Sequence, residues 1–250
     1  MDILYIVGNK SKCNDFELRC SLRSIDRFGQ NIGKVYVVGH CPEWLSDEVV
    51  KLPCEDFNKD TDDFVKKAQN IAKKLQYAVE NSEIGDEFLV SMDDHFYVKS
   101  VDFDSYPCYT KRVKHNGQIP HYIEGATGYN AFIGKVREHL ESLELPTYYL
   151  APHRNMPVSR QSLTDCAEII SDCYENDYPM EIFCLLNNYR VSTGEITPVL
   201  HGDNKLRGGG DWWRTSPEYD HVFSTPDFEE GSPLYVLISN LYTKKSKYEL

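Results

Sequence analysis

The sequence predicts an α/β fold with a mostly parallel sheet and flanking helices. Three observations lead there. Residues 2–7 (DILYIV) and 34–39 (KVYVVG) are short apolar runs, each closed by a glycine. Between them, Phe16, Leu18, Leu22 and Ile25 recur at helical spacing, with Asn14 or Asp15 as a cap and Gly29 as a stop. A second amphipathic pattern, 58–81, lies between two further apolar runs at 49–54 and 88–90. Strand, helix, strand in this order implies parallel pairing through right-handed crossovers.

At 250 residues the chain is long enough for one good core, and a single domain over 1–250 is expected. Its first hundred residues are regular and residues 101–250 are looser. A net charge of −12 disfavours nucleic acid and anionic membrane surfaces, which call for clustered Lys and Arg. No apolar run reaches the length of about 18 residues that a membrane span needs. The opening, MDILYIVGNKSKC, has no basic leader and reads as a first strand rather than a signal peptide. The eight cysteines are scattered without a CxxC pair, which reads as reduced thiols in a cytoplasmic protein.

In the long helix expected over 58–81, Phe64, Ala68, Ile71, Ala72, Leu75 and Val79 share one face. Asp60, Asp62 and Asp63 stand at its start, where the helix dipole favours them. Lys73 and Lys74 read as a solvated face, whereas Lys59 and Lys66 are candidates to meet a diphosphate. His40 reads as a plain loop histidine. Beyond residue 100 the expectations are a loop plus strand at 125–134, a short helix at 136–143 and a loop at 151–160. Helices are expected from 159 and over 179–191, then a polar, Gly-rich stretch at 198–213 and an apolar helix at 233–242.

The stretch with the clearest chemistry is 88–98, FLVSMDDHFYV. An apolar run leads into Asp93 and Asp94, and Phe96 and Val98 resume the pattern. Two adjacent carboxylates at the end of a buried strand are costly unless a cation compensates them. Mn²⁺ and Mg²⁺ both suit such oxygen ligands. A solvated turn is the plain alternative, but no Gly or Pro accompanies the pair. HGDNKLRGGG at 201–210 offers His201, Asp203, Lys205 and Arg207 on a glycine-rich segment suited to close over a ligand. PHRNMP at 152–157 offers His153 as a base and Arg154 for phosphate or carboxylate recognition. Glu181 heads a helix. Each of these also reads as an ordinary loop or helix-start residue. No P-loop, GxSxG or dinucleotide fingerprint occurs.

Residues 14–45, NDFELRCSLRSIDRFGQNIGKVYVVGHCPEWL, resemble the second conserved region of the Stealth-type sugar-phosphate transferases. FLVSMDDHFYV resembles the acidic strand–loop–strand of the same family, and HRNMPVSR is similar to a later pattern of His, Pro and a basic residue. More broadly the layout resembles the GT-A nucleotide-sugar transferases, a Rossmann-like fold. The resemblance implies a metal-dependent glycosyltransferase that uses a UDP- or GDP-sugar, Mn²⁺ or Mg²⁺, and a carbohydrate or other acceptor. Residues 1–100 would then be the nucleotide-binding half and 101–250 the acceptor half. It implies that Val7, Gly8 and Asn9 line the nucleoside pocket, with Arg19 or Arg23 near the base or phosphates and Asp63 beside the donor. Asp94 would ligate the metal, Asp93 would hold metal or ribose, and His201 would be a further ligand. Lys59, Lys66 and Lys205 would neutralise the diphosphate, and His153, Glu181 or Asp177 would be the acceptor-side base. Met92 stands where a DxD motif has its first Asp, His95 where Val is usual, and the opening strand lacks the family's Asp-Gly. These departures favour glycosyl transfer; sugar-1-phosphate transfer and non-catalytic carbohydrate or nucleotide binding are the alternatives.

Overall fold

The structure, a computed structural model, describes residues 1–8, 11–59, 63–111, 116–207 and 209–250. The chain begins with β1 (Asp2–Val7), α1 (Phe16–Phe28), β2 (Gly29–Gln30), β3 (Val35–Gly39) and β4 (Val49–Pro53). It continues through α2 (Phe64–Glu80), β5 (Glu87–Ser91), β6 (His95–Tyr97), β7 (Val101–Asp102) and β8 (Tyr109–Lys111). Next come α3 (Gly128–Ser142), β9 (Met156–Ser159), α4 (Arg160–Asp165), α5 (Ala167–Glu175) and α6 (Ile182–Ser192). β10 (Val199–His201), a 3₁₀ helix (Gly209–Thr215), β11 (Val222–Ser224) and α7 (Pro233–Leu241) complete it.

The central sheet has the order β4-β3-β1-β5-β9. Its first four strands are parallel, and β9 runs antiparallel to β5. This is the α/β architecture that the alternating pattern predicts. β1 is buried on both faces, as an interior parallel strand should be. Leu4 and Ile6 join the core formed with Ala72, Leu75, Phe132 and Phe183. Ile3, Tyr5 and Val7 join the opposite core with Leu18, Leu22 and Ile25. Each such aliphatic side chain contributes about 1.5–3 kcal/mol of burial before chain entropy is set against it. The connection from β1 leads to β3 on one side, and the later connection through α2 returns to β5 on the other. The strand order therefore reverses between β1 and β5, and a crevice opens at their carboxyl ends.

Several sequence expectations change. Residues 125–134 are not loop plus strand: they enter α3, whose stripe of Phe132, Val136 and Leu140 is obscured in the sequence by glycines. The expected loop at 151–160 contains β9, which covers the open edge of β5; Pro157 is tolerated there because the strand is itself an edge. The helix from 159 is interrupted at Cys166, giving α4 and α5. Lys74 is not solvated. It is buried, donates to the Val7 carbonyl at 2.9 Å and pairs with Asp56 at 2.6 Å. Gly39 makes this possible, with φ at +100° and no Cβ, which would lie 2.1 Å from the Val7 carbonyl oxygen. His40 is paired with Asp15 at 3.0 Å. All eight cysteines are unpaired. Among the described residues no helix is long and apolar enough to cross a membrane.

Arg19 and Arg23 of α1 both reach Glu249, at 3.0 and 2.8 Å, and Arg19 lies over the Trp44 ring. The Glu249 side chain is buried and also accepts from Ser246. Burial raises its proton affinity, but the Arg23 and Ser246 bonds prevail and hold it down to about 2. A depressed carboxylate stabilises the fold above its unfolded pKa and loses that contribution as pH falls through the folded value. Glu249→Gln should therefore lower stability near neutrality by about 3 kcal/mol. In denaturant titrations the gap to the parent chain should close as pH falls from about 4.5 toward 2. A gap that stays constant with pH would show that the ion pair is not its source.

Candidate active-site cleft

The last residue of β5 is Ser91, and residues 92–94 form the turn into β6. This turn lies at the carboxyl edge of the sheet beside the end of β1, because Tyr5 pairs with Ser91. Asp93 and Asp94 are partly accessible, the Asp94 side chain at 27 %, yet protein closely surrounds them. Burial pushes Asp93 up to about 7, and the Asp94 charge adds to it. Burial pushes Asp94 up to about 6, against the pull of the Lys205 ammonium. Behind the pair, His95 is buried, and its Nδ1 accepts from the Met92 N–H at 3.4 Å. That leaves its Nε2 facing Asp94, 3.7 Å from Oδ1. Burial and the nearby His153 and Arg154 push His95 down to about 3, so the ring is neutral at pH 7.

Strand pairing brings distant residues to this edge. β9 is antiparallel to β5, and Met156 pairs with Val90, so residues 153–155 arrive beside the acidic turn. Asn155 lies 3.5 Å from the Ser91 hydroxyl and accepts from the Tyr97 hydroxyl. β11 pairs with β6, placing Ser224 opposite His95, and Lys205 forms an isolated bridge to Ser224. Lys205 thus reaches Asp94 from the far side of a three-segment ribbon. Lys111 pairs with His201 in the β8–β10 ribbon, and its ammonium lies 3.7 Å from Asp203. Arg207 also bonds Asp203. On α2, Asp63 caps the helix by accepting from Val65 and Lys66 N–H groups at 2.7 and 3.0 Å. Lys67, one turn in, is a second cation whose charge reaches Asp94.

From the first turn of α1, Glu17 adds its charge to that acting on Asp93. Asn14 and Asp15 both have positive φ, 52° and 57°, a costly conformation for non-glycine residues. Ser11 secures this turn by accepting from the Asp15 N–H at 2.8 Å and donating to Glu17 at 2.9 Å.

The cleft gathers some of the expected residues and not others. Asp93, Asp94, Lys205 and His153 come together. Val7 ends β1 at the same edge, Gly8 is exposed beside it, and Asn9 lies outside the described residues. Lys59 is exposed in the loop before α2. Arg19 and Arg23 are committed to Glu249 and do not serve the cleft. Lys66 is turned away to Asp177, which also accepts from Gln69 at 3.0 Å. His201 is not with the Asp pair: its Nδ1 lies 3.0 Å from Arg154 and 3.6 Å from Asp220. Arg154 itself is buried against Asp220 at 2.6 Å and over the Tyr109 ring, so it is structural rather than a phosphate ligand. Burial raises Asp220, but the His221 bond and the Arg154 charge prevail and hold it down to about 2.

The three expected bases differ sharply. Burial, then Lys205 and Lys111, push His153 down to about 3. The Lys66 and Gln69 bonds lower Asp177, which is exposed. Burial pushes Glu181 up to about 7, although it accepts from the Cys184 N–H at 2.8 Å as the cap of α6. Sequence reasoning missed Lys67, Lys111 and Asn155. Lys67 is masked by its neighbours on a lysine-rich helix, Lys111 lies where no periodicity guides the eye, and Asn155 stands one residue beyond the Arg that drew attention.

Among the described residues no group of three His, Cys, Asp or Glu is arranged to hold a metal. Two adjacent carboxylates still fit Mg²⁺ or Mn²⁺, which commonly take one or two protein carboxylates and complete their shell with water and substrate phosphates. No known family model matches the chain, and a comparison with curated proteins finds no relative.

The Asp pair predicts an unusual pH dependence. Its folded proton affinity is raised, so its contribution to stability is full below about pH 4 and is lost as pH rises through about 7. In chelator, the thermal midpoint should fall between about pH 5 and 8, and Mn²⁺ should restore it at the alkaline end. Asp93→Asn should raise stability at about pH 8 by roughly 2 kcal/mol, after allowance for solvent screening at a partly open site. Scanning calorimetry that finds no pH trend and no gain in the variant would contradict the raised affinities.

Proposed function

We propose that this chain is a GT-A-like glycosyltransferase that binds a nucleotide-diphosphate sugar together with a divalent cation. The observation that carries this reading is the Asp93–Asp94 pair at the strand-order reversal, opposed by the Lys205 and Lys67 charges. Such a cleft is suited to a cation–diphosphate complex, with carboxylates for the metal and ammonium groups for the remaining phosphate oxygens. Asp94 and Asp93 would hold Mn²⁺ or Mg²⁺, whose part is to neutralise the departing diphosphate. Lys205 and Lys67 bind phosphate oxygens, with Lys111 behind them. Val7 and Gly8 line the nucleoside end, where a side chain added at Gly8 would meet nothing within 4 Å.

Glu181 takes the proton of the acceptor hydroxyl. Of the three candidates it alone holds its proton near neutrality, as an effective general base should. Its charge acts on Tyr149, whose ring lies 5.3 Å from the Lys111 ammonium, so it adjoins the cationic wall of the cleft. His153 binds a proton too weakly, and Asp177 is occupied by Lys66.

Calorimetric titration tests the donor half. UDP or GDP should bind more tightly with Mn²⁺ than in chelator, Asp94→Ala should remove that difference, and Lys205→Ala should weaken binding about tenfold. Equal affinity in chelator would sink the metal–diphosphate reading. For the acceptor half, transfer at saturating Mn²⁺ should rise through about pH 7, with Glu181→Gln reducing kcat about a hundredfold and flattening the profile. An unchanged profile in that variant would remove Glu181 from the role.

A further inference from the structure

Beside the acidic cleft lies a groove of about 1000 Å³. It runs between the N-terminal turn of α2, the length of α3 and the residues joining α5 to α6. That volume is at the upper end of the range for small-ligand sites and suits an extended ligand better than a compact one. Phe64 and Tyr178 present open ring surface there, at 38 % and 45 % exposure, and Phe132 forms part of the wall.

The charge of this wall is one-sided. Four carboxylates line it, from Asp63, Glu138, Asp172 and Asp177, against the single ammonium of Lys135. Asp63 caps α2, Asp177 binds Lys66, and Asp172 accepts from the Asn176 amide at 2.7 Å; Glu138 and Asp172 both stand exposed, on α3 and α5. Lys135 lies toward the Tyr122 ring, 5.9 Å away. His139 adds no charge at pH 7, because burial lowers its proton affinity. Carboxylates beside open aromatic rings recognise ammonium groups, through ion pairing and attraction to the ring face.

The groove is joined to the cleft by a run of aromatic contacts. Phe64 meets Tyr129 at 5.6 Å, Tyr129 hydrogen-bonds Tyr149 at 2.5 Å, and Tyr149 lies under Lys111. Lys67, whose charge reaches Asp94, is one helical turn from Phe64.

We propose that this groove is the acceptor site, and that it takes an extended saccharide bearing free amino groups. The proposal depends on the glycosyltransferase reading for the word acceptor; the groove's preference for an ammonium-bearing saccharide stands on its own lining. The glycan lies along α3 with its amino groups at Glu138 and Asp172, and its reacting end passes Phe64 and Tyr129 toward Lys111.

The test uses the full chain and three probes: a short chitosan oligomer, the fully N-acetylated chitin oligomer of the same length, and a lysine oligopeptide of matched charge. Calorimetry should show binding of the chitosan oligomer that weakens with added salt and exceeds binding of the chitin oligomer at least about tenfold. The double variant Glu138→Gln/Asp172→Asn changes two exposed side chains and should lose about tenfold in chitosan affinity. Equal binding of both oligomers would overturn the charge argument, and tight binding of the peptide alone would overturn the saccharide. UDP or GDP titration with Mn²⁺ in the same samples separates the two readings. Intact nucleotide binding with no chitosan binding refutes the groove alone. Chitosan binding without any nucleotide binding refutes the transferase and leaves a glycan-binding groove.

Discussion

Bringing Asp93 and Asp94 side by side at the end of a buried strand sets the terms for the surrounding structure. Burial in this turn penalises both charged forms, and for Asp93 the Asp94 charge adds to the penalty, so protons are held well above the usual carboxylate range. The protein counters this only in part. Lys205 and Lys67 act on Asp94, while Asp93 receives acidic company from Glu17 and Asp227. The neutral His95 ring behind the pair adds no positive charge. A turn left this far from electrostatic balance is a poor structural element, and perturbed carboxylates of this kind gather at functional sites.

The cleft is assembled by strand pairing more than by long loops. The antiparallel β9 turns the end of β5 into a two-sided wall and delivers residues 153–155. The β6–β11 ribbon, extended by the Lys205–Ser224 bridge, carries a cation from late in the sequence to within reach of Asp94. The β8–β10 ribbon sets Lys111 beside Asp203, with its charge reaching His153. Each delivery depends on a backbone register, and side chains set by register are held more firmly than side chains on free loops.

The readable part of the sequence was the part with a period. β1, α1, β3, α2 and β5 follow from apolar spacing, and the Asp pair stands out because apolar residues flank it on both sides. Only the second half of α3 is legible as the short helix expected at 136–143; glycines obscure its first turns. Charged residues were harder, since a lysine or arginine looks the same in sequence whether it faces water, a ligand or a buried partner. Arg19 and Arg23 find that partner in Glu249, at the other end of the chain. Lys74 finds Asp56 and a strand-end carbonyl under a glycine. The resemblance implies a metal-ligand role for His201, but its neighbours in space are Arg154 and Asp220. The cations Lys67 and Lys111 were legible only as composition.

The division of β1 between two cores has a consequence for how this protein tolerates change in length. Alternate residues of the strand serve opposite sides of the sheet, and both of its neighbours are locked to it in register. Deleting one residue from 2–7 would move every following side chain to the opposite core and shift two ladders at once. The same deletion within residues 121–127, irregular and mostly exposed chain just before α3, would change only a connection. Length variation among natural or engineered forms should therefore gather within residues 121–127 and spare the first strand, so that an alignment gap falling inside β1 would signal a misalignment rather than a genuine deletion.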